Sequence, residues 1–173
     1  YERNGRIKIR RGAGTDSLDI RSRGDDPNIR KLYSLLTRRT GVSLTDLFDP
    51  DSIAVIGASK TPGKLGNDAM ANAKEFDGPV YPVNPSGEGA VYGYEFVDSV
   101  EDTDADLALC CVPAPATPGV ISDCGEAGVG VAVVFAGGFA ESGEQGEQLQ
   151  EQIRHTAQEY DISILGPNTA GHI

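Results

Sequence analysis

Short apolar runs alternate with longer stretches of mixed polarity in the part of the chain that begins near Asp51. Each run holds about five apolar residues and is bounded by Gly, Pro or Asn-Pro, which predicts short buried β-strands. The predicted strands cover residues 52–56, 80–83, 107–112, 131–135 and 162–165. Because strands that are apolar on both faces are typical of parallel sheets, we expect a parallel sheet covered on both sides.

Stretches with a helical spacing of apolar residues connect several of these strands. Helices are predicted over about residues 67–76, after the third strand, and between the fourth and fifth strands. The apolar positions of the last two are Val120, Ile121, Cys124 and Ala127 in one, and Leu149, Ile153, Ala157 and Tyr160 in the other. Gly128 follows the former, as is typical of a helix C-terminus.

Strands that alternate with helices predict an α/β fold, a Rossmann-like doubly wound parallel sheet. We expect a single domain over residues 47–173, preceded by a basic N-terminal extension or linker at residues 1–46. Ligands of such sheets bind at the carboxyl ends of the strands, where the strand order reverses. Functional residues are therefore expected just after each strand.

Charge is segregated along the chain. Residues 1–40 hold eleven Lys or Arg and five Asp or Glu, whereas residues 41–173 hold four basic and twenty-one acidic residues. The basic segment, with a short predicted helix at 27–39, fits a solvated tail or connector better than a nucleic-acid site, because no binding motif accompanies it. The acidic part resembles proteins of salt-loving archaea, and an ordinary acidic protein is the alternative.

Membrane segments, metal ligands and catalytic histidines are not expected. No apolar run approaches the roughly 20 residues that span a bilayer, and no secretory signal is evident, so we expect a cytoplasmic protein. The three cysteines, Cys110, Cys111 and Cys124, lack metal-ligand spacing and are expected to be buried thiols. His155 and His172 are the only histidines, and neither is expected to be catalytic.

A glycine-rich loop at residues 57–66 connects the first predicted strand to the first helix. Glycines let the backbone approach an anion, the helix start offers unpaired N–H groups, and Ser59 and Thr61 add hydroxyl donors. The loop therefore predicts a phosphate cradle, although glycines also serve tight turns. It matches neither the Walker pattern nor the dinucleotide G-x-G-x-x-G pattern, so ATP hydrolysis is not expected.

The end of the second predicted strand lacks the acidic residue that an NAD enzyme uses to hold the ribose hydroxyls. Asn84, Pro85, Ser86 and Gly87 stand there instead. This counts against NAD and favours a ligand whose adenosine end carries phosphate.

Five ordered motifs carry a specific resemblance: DSIAVIGAS at 51–59, YPVNP at 81–85, VPA at 112–114, AGGFAE at 136–141 and LGPN at 165–168. In this order and spacing they resemble the CoA-binding domain of ADP-forming acyl-CoA (acetyl-CoA) synthetases, a family related to the succinyl-CoA synthetase alpha subunit. The resemblance covers about residues 47–173.

This resemblance implies coenzyme A as substrate and assigns roles to the loops. Phosphate contacts are implied for Gly57, Ala58, Ser59, Lys60, Thr61 and Gly63. The adenosine end is implied to lie near Asn84, Pro85 and Ser86, and the pantetheine channel near Val112, Pro113, Phe135, Ala136 and Gly137. Two positions depart from the family pattern. Ser86 stands where a Lys is common, so either the affinity for CoA is weaker or Lys60 or Lys64 substitutes for that Lys, and Thr169 stands where Cys is usual.

The resemblance also implies the reaction that turns acid, CoA and ATP into acyl-CoA, ADP and phosphate, with partner domains bearing a phosphohistidine and an ATP-grasp fold. We expect this chain to bind CoA without catalysing alone. Glu141 either faces the active site or has a capping or surface role. The alternatives are a free-standing CoA or acyl-CoA sensor and an NAD-binding Rossmann protein; fusion to an acetyltransferase is left open.

Overall fold

A computed structural model describes residues 45–169, so the helix predicted at 27–39 and His172 lie outside the described residues. The helices are α1 (Thr45–Phe48), α2 (Leu65–Ala73), α3 (Thr117–Ala127) and α4 (Glu144–Tyr160), and the strands are β1 (Ile53–Ile56), β2 (Val80–Val83), β3 (Ala90–Val91), β4 (Tyr94–Glu95), β5 (Leu107–Cys110), β6 (Val131–Val134) and β7 (Ser163–Leu165).

Five of the strands form one parallel sheet in the order β2-β1-β5-β6-β7. In this register Ile53 lies between Val80 of β2 and Leu107 of β5. The chain adds β2 on one side of β1 and then crosses to the other side for the remaining strands. The strand order therefore reverses between β1 and β5, which confirms the predicted doubly wound sheet and fixes where a ligand crevice is expected.

Alternate side chains of the central strands pack on opposite faces of the sheet. On one face Ile56 and Ala108 pack with Ile121 of α3 and Ile153 of α4. On the other face Val55 packs with Met70 of α2. Helices therefore cover both faces, and this is why the central strands β1, β5 and β6 are apolar throughout.

The cysteines follow the same alternation. Cys110 and Cys124 are fully buried on the α3 and α4 face, whereas Cys111 is half-buried and packs on the α2 face. All three are free thiols. The expectation of buried thiols is confirmed for Cys110 and Cys124, whereas Cys111 is only half-buried.

The predicted strands are all present, and β2 agrees at both ends, while the others are one or two residues shorter than predicted. The predicted helix at 67–76 is shifted, because α2 begins at Leu65 and ends at Ala73. Lys64, whose backbone is extended, precedes the first residue of α2, and the Lys64 carbonyl accepts from the N–H of Asn67 at 2.8 Å. Beyond the C-terminus of α2 the backbone hydrogen bonds join residues three apart, as in the bond from the N–H of Phe76 to the Ala73 carbonyl at 3.0 Å.

A small antiparallel hairpin of β3 and β4 was not predicted from the sequence. Its turn is made by Tyr92 and Gly93, which both have positive φ, 50° and 91°. The chain beyond it reaches the outer side of β2, where the N–H of Val97 donates to the Pro82 carbonyl at 3.0 Å and the N–H of Asn84 to the Val97 carbonyl at 2.9 Å. The hairpin therefore packs beside the end of β2, next to the predicted ligand loops.

Candidate functional site

Gly57 ends β1 and begins the predicted phosphate loop, and it has a φ of +85°. A Cβ there would lie 2.8 Å from the carbonyl oxygen of Cys111, which follows β5. Its N–H donates to the Val83 carbonyl at 2.9 Å. Gly57 therefore joins the ends of three neighbouring strands, and both its conformation and its surroundings require glycine.

Helix α2 packs directly against this turn through Gly66. A Cβ on Gly66 would lie only 1.9 Å from the carbonyl oxygen of Gly57. The N–H groups of Leu65 and Gly66, in the first turn of α2, have no acceptor within the described part of the chain. The loop thus ends at a helix N-terminus with unpaired donors, which is the arrangement that binds anions.

Ser59 organises the middle of the loop. Its Oγ accepts from the N–H of Thr61 at 3.1 Å, and its carbonyl accepts from Asn67 Nδ2 at 2.9 Å. Because the hydroxyl is used there as an acceptor, its own proton is free to be donated to a ligand oxygen. Lys60, Thr61 and Gly63 are exposed on the same loop, so the loop can present several donors to an anion.

Asn84 ties the loop after β2 to the phosphate loop. Its Nδ2 donates to the Ala58 carbonyl at 2.9 Å, and its Oδ1 accepts from the N–H of Ser86 at 2.9 Å. Both ends of the amide are therefore engaged within the protein. This side chain holds the two loops together, and the ligand surface at this point is left to Pro85 and Ser86.

A cavity of about 270 Å³ opens where the strand order reverses. It is lined by Ile56, Gly57, Val83, Asn84, Pro85, Asp98, Ser99, Val100, Val112, Val120 and Asp123. Its volume lies just below the roughly 300–1,000 Å³ of small-molecule sites. The cavity is therefore large enough for part of a ligand such as CoA, with the remainder outside it.

The predicted site residues separate into three groups. Gly57, Asn84, Pro85 and Val112 line the cavity. Ala58, Ser59, Lys60, Thr61 and Gly63 belong to the loop beside it, and Ser86 follows Pro85. Pro113 is exposed just beyond Val112, while Phe135, Ala136 and Gly137 follow β6 and do not line the cavity.

Several cavity residues were missed from the sequence, foremost the carboxylates of Asp98 and Asp123. Burial, and then the nearby charge of Glu126, raise the pKa of Asp123 above its usual range. Both residues are exposed at the edge of the cavity. Carboxylates there repel phosphate and accept hydrogen bonds from amine or hydroxyl groups. The cavity therefore suits the base or sugar of a nucleotide better than its phosphates.

Positive charge gathers around this loop in an otherwise acidic domain. Four residues of 41–173 are basic: Lys60, Lys64, Lys74 and Arg154. The Lys60 ammonium lies 5.9 Å from the ring centroid of Phe96, and that of Lys74 lies 5.4 Å from the ring of Tyr92. Aromatic rings thus hold two of the four cations beside the hairpin.

Glu141 lies apart from the cavity. Its Oε1 accepts from the N–H of Gly138 at 2.7 Å, and this hydrogen bond lowers the pKa of the exposed carboxyl. A Cβ on Gly137 would lie 3.2 Å from the same oxygen and 3.6 Å from Asn168 Oδ1. The contact fits a capping or surface role for Glu141, which is one of its two predicted roles.

Residues 45–169 contain no group of three or more His, Cys, Asp or Glu that could hold a metal ion. His155 is exposed on α4. No helix among these residues is long and apolar enough to cross a membrane.

The fold and loops together have the features of a nucleotide-type binding domain: a doubly wound sheet, a glycine-rich loop at a helix N-terminus and a cavity where the strand order reverses. Residues 51–173 match the CoA binding domain family. The chain therefore belongs to that family, and the resemblance seen in its motifs is confirmed.

The chain is similar to parts of larger proteins whose activity is named. The chain is 42% identical to the alpha subunit of acetate–CoA ligase [ADP-forming] I of Pyrococcus furiosus, over 75% of this chain and 30% of that protein. It is 44% identical to acetate–CoA ligase [ADP-forming] of Methanocaldococcus jannaschii, over 70% of this chain and 17% of that protein. This chain thus spans less than a third of either relative.

Solved structures give the same result. A dinucleotide forming acetyl-coenzyme A synthetase 1 of Ca. Korarchaeum cryptofilum, in complex with phosphate and ADP, superposes with a TM-score of 0.70 at 40% identity. The match covers 77% of this chain and 29% of that chain. The described domain is thus similar to one part of a synthetase.

Proposed function

We propose that the domain binds coenzyme A as the CoA-binding part of an ADP-forming acyl-CoA synthetase, which converts acid, CoA and ATP into acyl-CoA, ADP and phosphate. One observation carries the proposal. Gly66 of α2 packs on the Gly57 carbonyl, and this contact places the glycine-rich loop and the N-terminus of α2 beside the cavity where the strand order reverses. The family match and the synthetase relatives support the choice of CoA as the ligand.

The structure supports a division of CoA between the loop and the cavity. The pyrophosphate lies on the donors of Ser59, Thr61 and the start of α2, because hydroxyl groups and the unpaired N–H groups of a helix N-terminus bind anions. The adenosine occupies the cavity, where Asp98 and Asp123 accept from its amine or hydroxyl groups. The pantetheine arm leaves past Val112, and Phe135, Ala136 and Gly137 contact it further along.

The described residues bind and orient the substrate, and we assign no catalytic role to any of them. Phosphoryl transfer belongs to phosphohistidine and ATP-grasp domains of the same synthetase, which act as partners of this domain. Residues 1–46 form a basic extension or connector in this proposal. We further propose a cytoplasmic protein from a salt-adapted archaeon, on the basis of the acidity of residues 41–173.

Calorimetric titration in high salt with CoA, acetyl-CoA, NAD and ATP in parallel tests the proposal. CoA and acetyl-CoA are expected to bind, and ATP and NAD to bind at least ~10-fold more weakly, a difference of about 1.4 kcal/mol. Ser59→Ala should weaken CoA binding, whereas the matched change Ser163→Ala, on the exposed side of β7, should not. Binding of NAD without CoA would overturn the proposal in favour of an NAD-binding protein.

A further inference from the structure

The ammonium group of Lys60 lies next to the segment that follows β2, although Lys60 itself belongs to the loop after β1. Lys60 is part of the glycine-rich loop after β1, but its Nζ lies 5.9 Å from the ring centroid of Phe96. A Cβ built on Gly89 would lie 3.5 Å from the same Nζ. Gly89 and Phe96 flank the β3–β4 hairpin, so the ammonium reaches the segment that follows the end of β2.

The position it reaches is where a nucleotide ribose is expected. In doubly wound sheets the group at the end of the second strand contacts the ribose, and a cation there accommodates a ribose that carries phosphate. The ribose of CoA carries a phosphate on its 3′ oxygen. A ligand of this chemistry therefore needs a positive charge near residues 84–89.

No residue of the loop at 84–89 carries a positive charge. The amide of Asn84 is bound to Ala58 and Ser86, and the next residues are Pro85 and Ser86. Lys74, the other cation with an aromatic contact, lies over Tyr92 at the turn of the hairpin. Lys60 is thus the basic residue that the described structure places against this loop.

The charge of Lys60 is also available to a ligand. Within residues 45–169 the one ion pair is that of Arg154 with Glu151, so no described carboxylate lies within 4 Å of the Lys60 ammonium. The ring of Phe96 holds the ammonium by a cation–π contact that leaves its N–H donors free. A lysine ammonium of this kind binds phosphate as a point charge.

We propose that Lys60 binds the ribose phosphate of CoA and is the residue by which this domain distinguishes CoA from dephospho-CoA, which lacks that phosphate. The inference rests on the proposed function, since it names the residue that selects the ligand of the same site. The backbone donors of the loop hold the pyrophosphate that both ligands share. Lys60 then binds the ribose phosphate, the one group in which CoA and dephospho-CoA differ.

The test compares the dissociation constants of CoA and dephospho-CoA for the purified chain and for Lys60→Met, which keeps the length of the side chain. A charge-assisted hydrogen bond contributes about 1.5–3 kcal/mol, so CoA should bind ~10-fold to 100-fold more weakly to the variant. Dephospho-CoA should bind with little change, and the preference for CoA should disappear. Lys74→Met is the matched control and should keep the preference.

A second variant keeps the proposal testable if Lys60→Met disturbs the loop. Adding Ser86→Lys to Lys60→Met places an ammonium on the loop after β2 and should restore the preference for CoA. Equal weakening of both ligands by Lys60→Met, or no weakening of either, would overturn the assignment while leaving CoA binding intact. Failure of the unaltered chain to bind either ligand would instead overturn the proposed function together with this inference.

Discussion

The side-chain amide of Asn84 donates to the backbone carbonyl of Ala58, at 2.9 Å, and so joins the loops that follow β2 and β1. The same side chain accepts from the N–H of Ser86 at 2.9 Å. Asn84 thus sets the distance between the glycine-rich loop and the loop after β2, to which we assign the pyrophosphate and the ribose of CoA. An asparagine is suited to this position because it donates and accepts at once.

Replacing Asn84 by alanine should therefore both destabilise the domain and weaken CoA binding. The change removes one partly buried hydrogen bond, to Ala58, and one exposed hydrogen bond, from Ser86, and the loss is expected to be about 1–3 kcal/mol in the free energy of unfolding. Asn84→Asp still accepts from Ser86 but turns a carboxylate toward the Ala58 carbonyl. Urea unfolding should place both variants below the parent, and a parent-like stability for both would contradict the role assigned to this amide.

The contact between Gly66 and Gly57 predicts a contrast between two glycine substitutions. A Cβ at residue 66 would overlap backbone at 1.9 Å, whereas a Cβ at Gly63 would meet nothing within 4 Å. Gly66→Ala must push α2 away from the loop, and we expect a loss of more than about 2 kcal/mol of stability together with loss of CoA binding. Gly63→Ala incurs only the strain of its φ of +79°, about 1 kcal/mol.

Thermal unfolding monitored by circular dichroism, followed by titration with CoA, separates the two cases. Gly63→Ala is the control for adding a methyl group to this loop. Equal melting temperatures for the two variants would show that α2 does not depend on close contact with the Gly57 carbonyl.

Thiol burial predicts a loss of stability at alkaline pH. Burial raises the pKa of Cys111 from 9.0 to about 12, and a hydrogen bond with Cys124, followed by burial, raises that of Cys110 well above its usual range. Above pH 9 the unfolded chain loses these protons while the folded chain keeps them. Stability should therefore fall as pH rises from about 9, by at most about 1.4 kcal/mol per pH unit for each thiol.

Urea unfolding at pH 8, 9 and 10 under reducing conditions measures this slope. Cys111→Ala lacks one of the thiols, so its stability should fall less steeply with pH than that of the parent. Identical slopes for the two proteins between pH 9 and 10 would contradict the raised pKa of Cys111.

The hydrophobic pattern sufficed to predict the sheet for two reasons. Its central strands are buried on both faces, and the predicted strands are bounded by glycine or proline, as Val80 to Val83 show at both ends. The residues that line the cavity were harder to predict from the sequence. Asp123 lies on α3 and Asp98 lies beyond a hairpin of two-residue strands, too short to leave a periodic signal. Their approach to Asn84 depends on tertiary packing of distant segments, and so does the placement of the Lys60 ammonium over Phe96.

Charge predicts a strong dependence of stability on salt. Residues 41–173 carry twenty-one acidic and four basic residues. Within the described part of the chain they form one ion pair, Arg154 with Glu151, whose side chains are 61% and 64% exposed and which contributes little. Because the remaining negative charges repel one another, salt that screens them should favour the folded state.

The melting temperature is therefore expected to rise from low to molar sodium chloride. Sodium chloride is preferred to a sulfate, which stabilises proteins by exclusion from their surface whatever their charge. Replacing the exposed Glu75 and Glu159 by lysine should raise the melting temperature at low salt and reduce its increase with salt, because both changes lower the repulsion. The matched variants Glu75→Gln and Glu159→Gln should give a smaller effect of the same sign. A melting temperature that stays constant across this range of salt would contradict adaptation to high salt and leave an ordinary acidic domain.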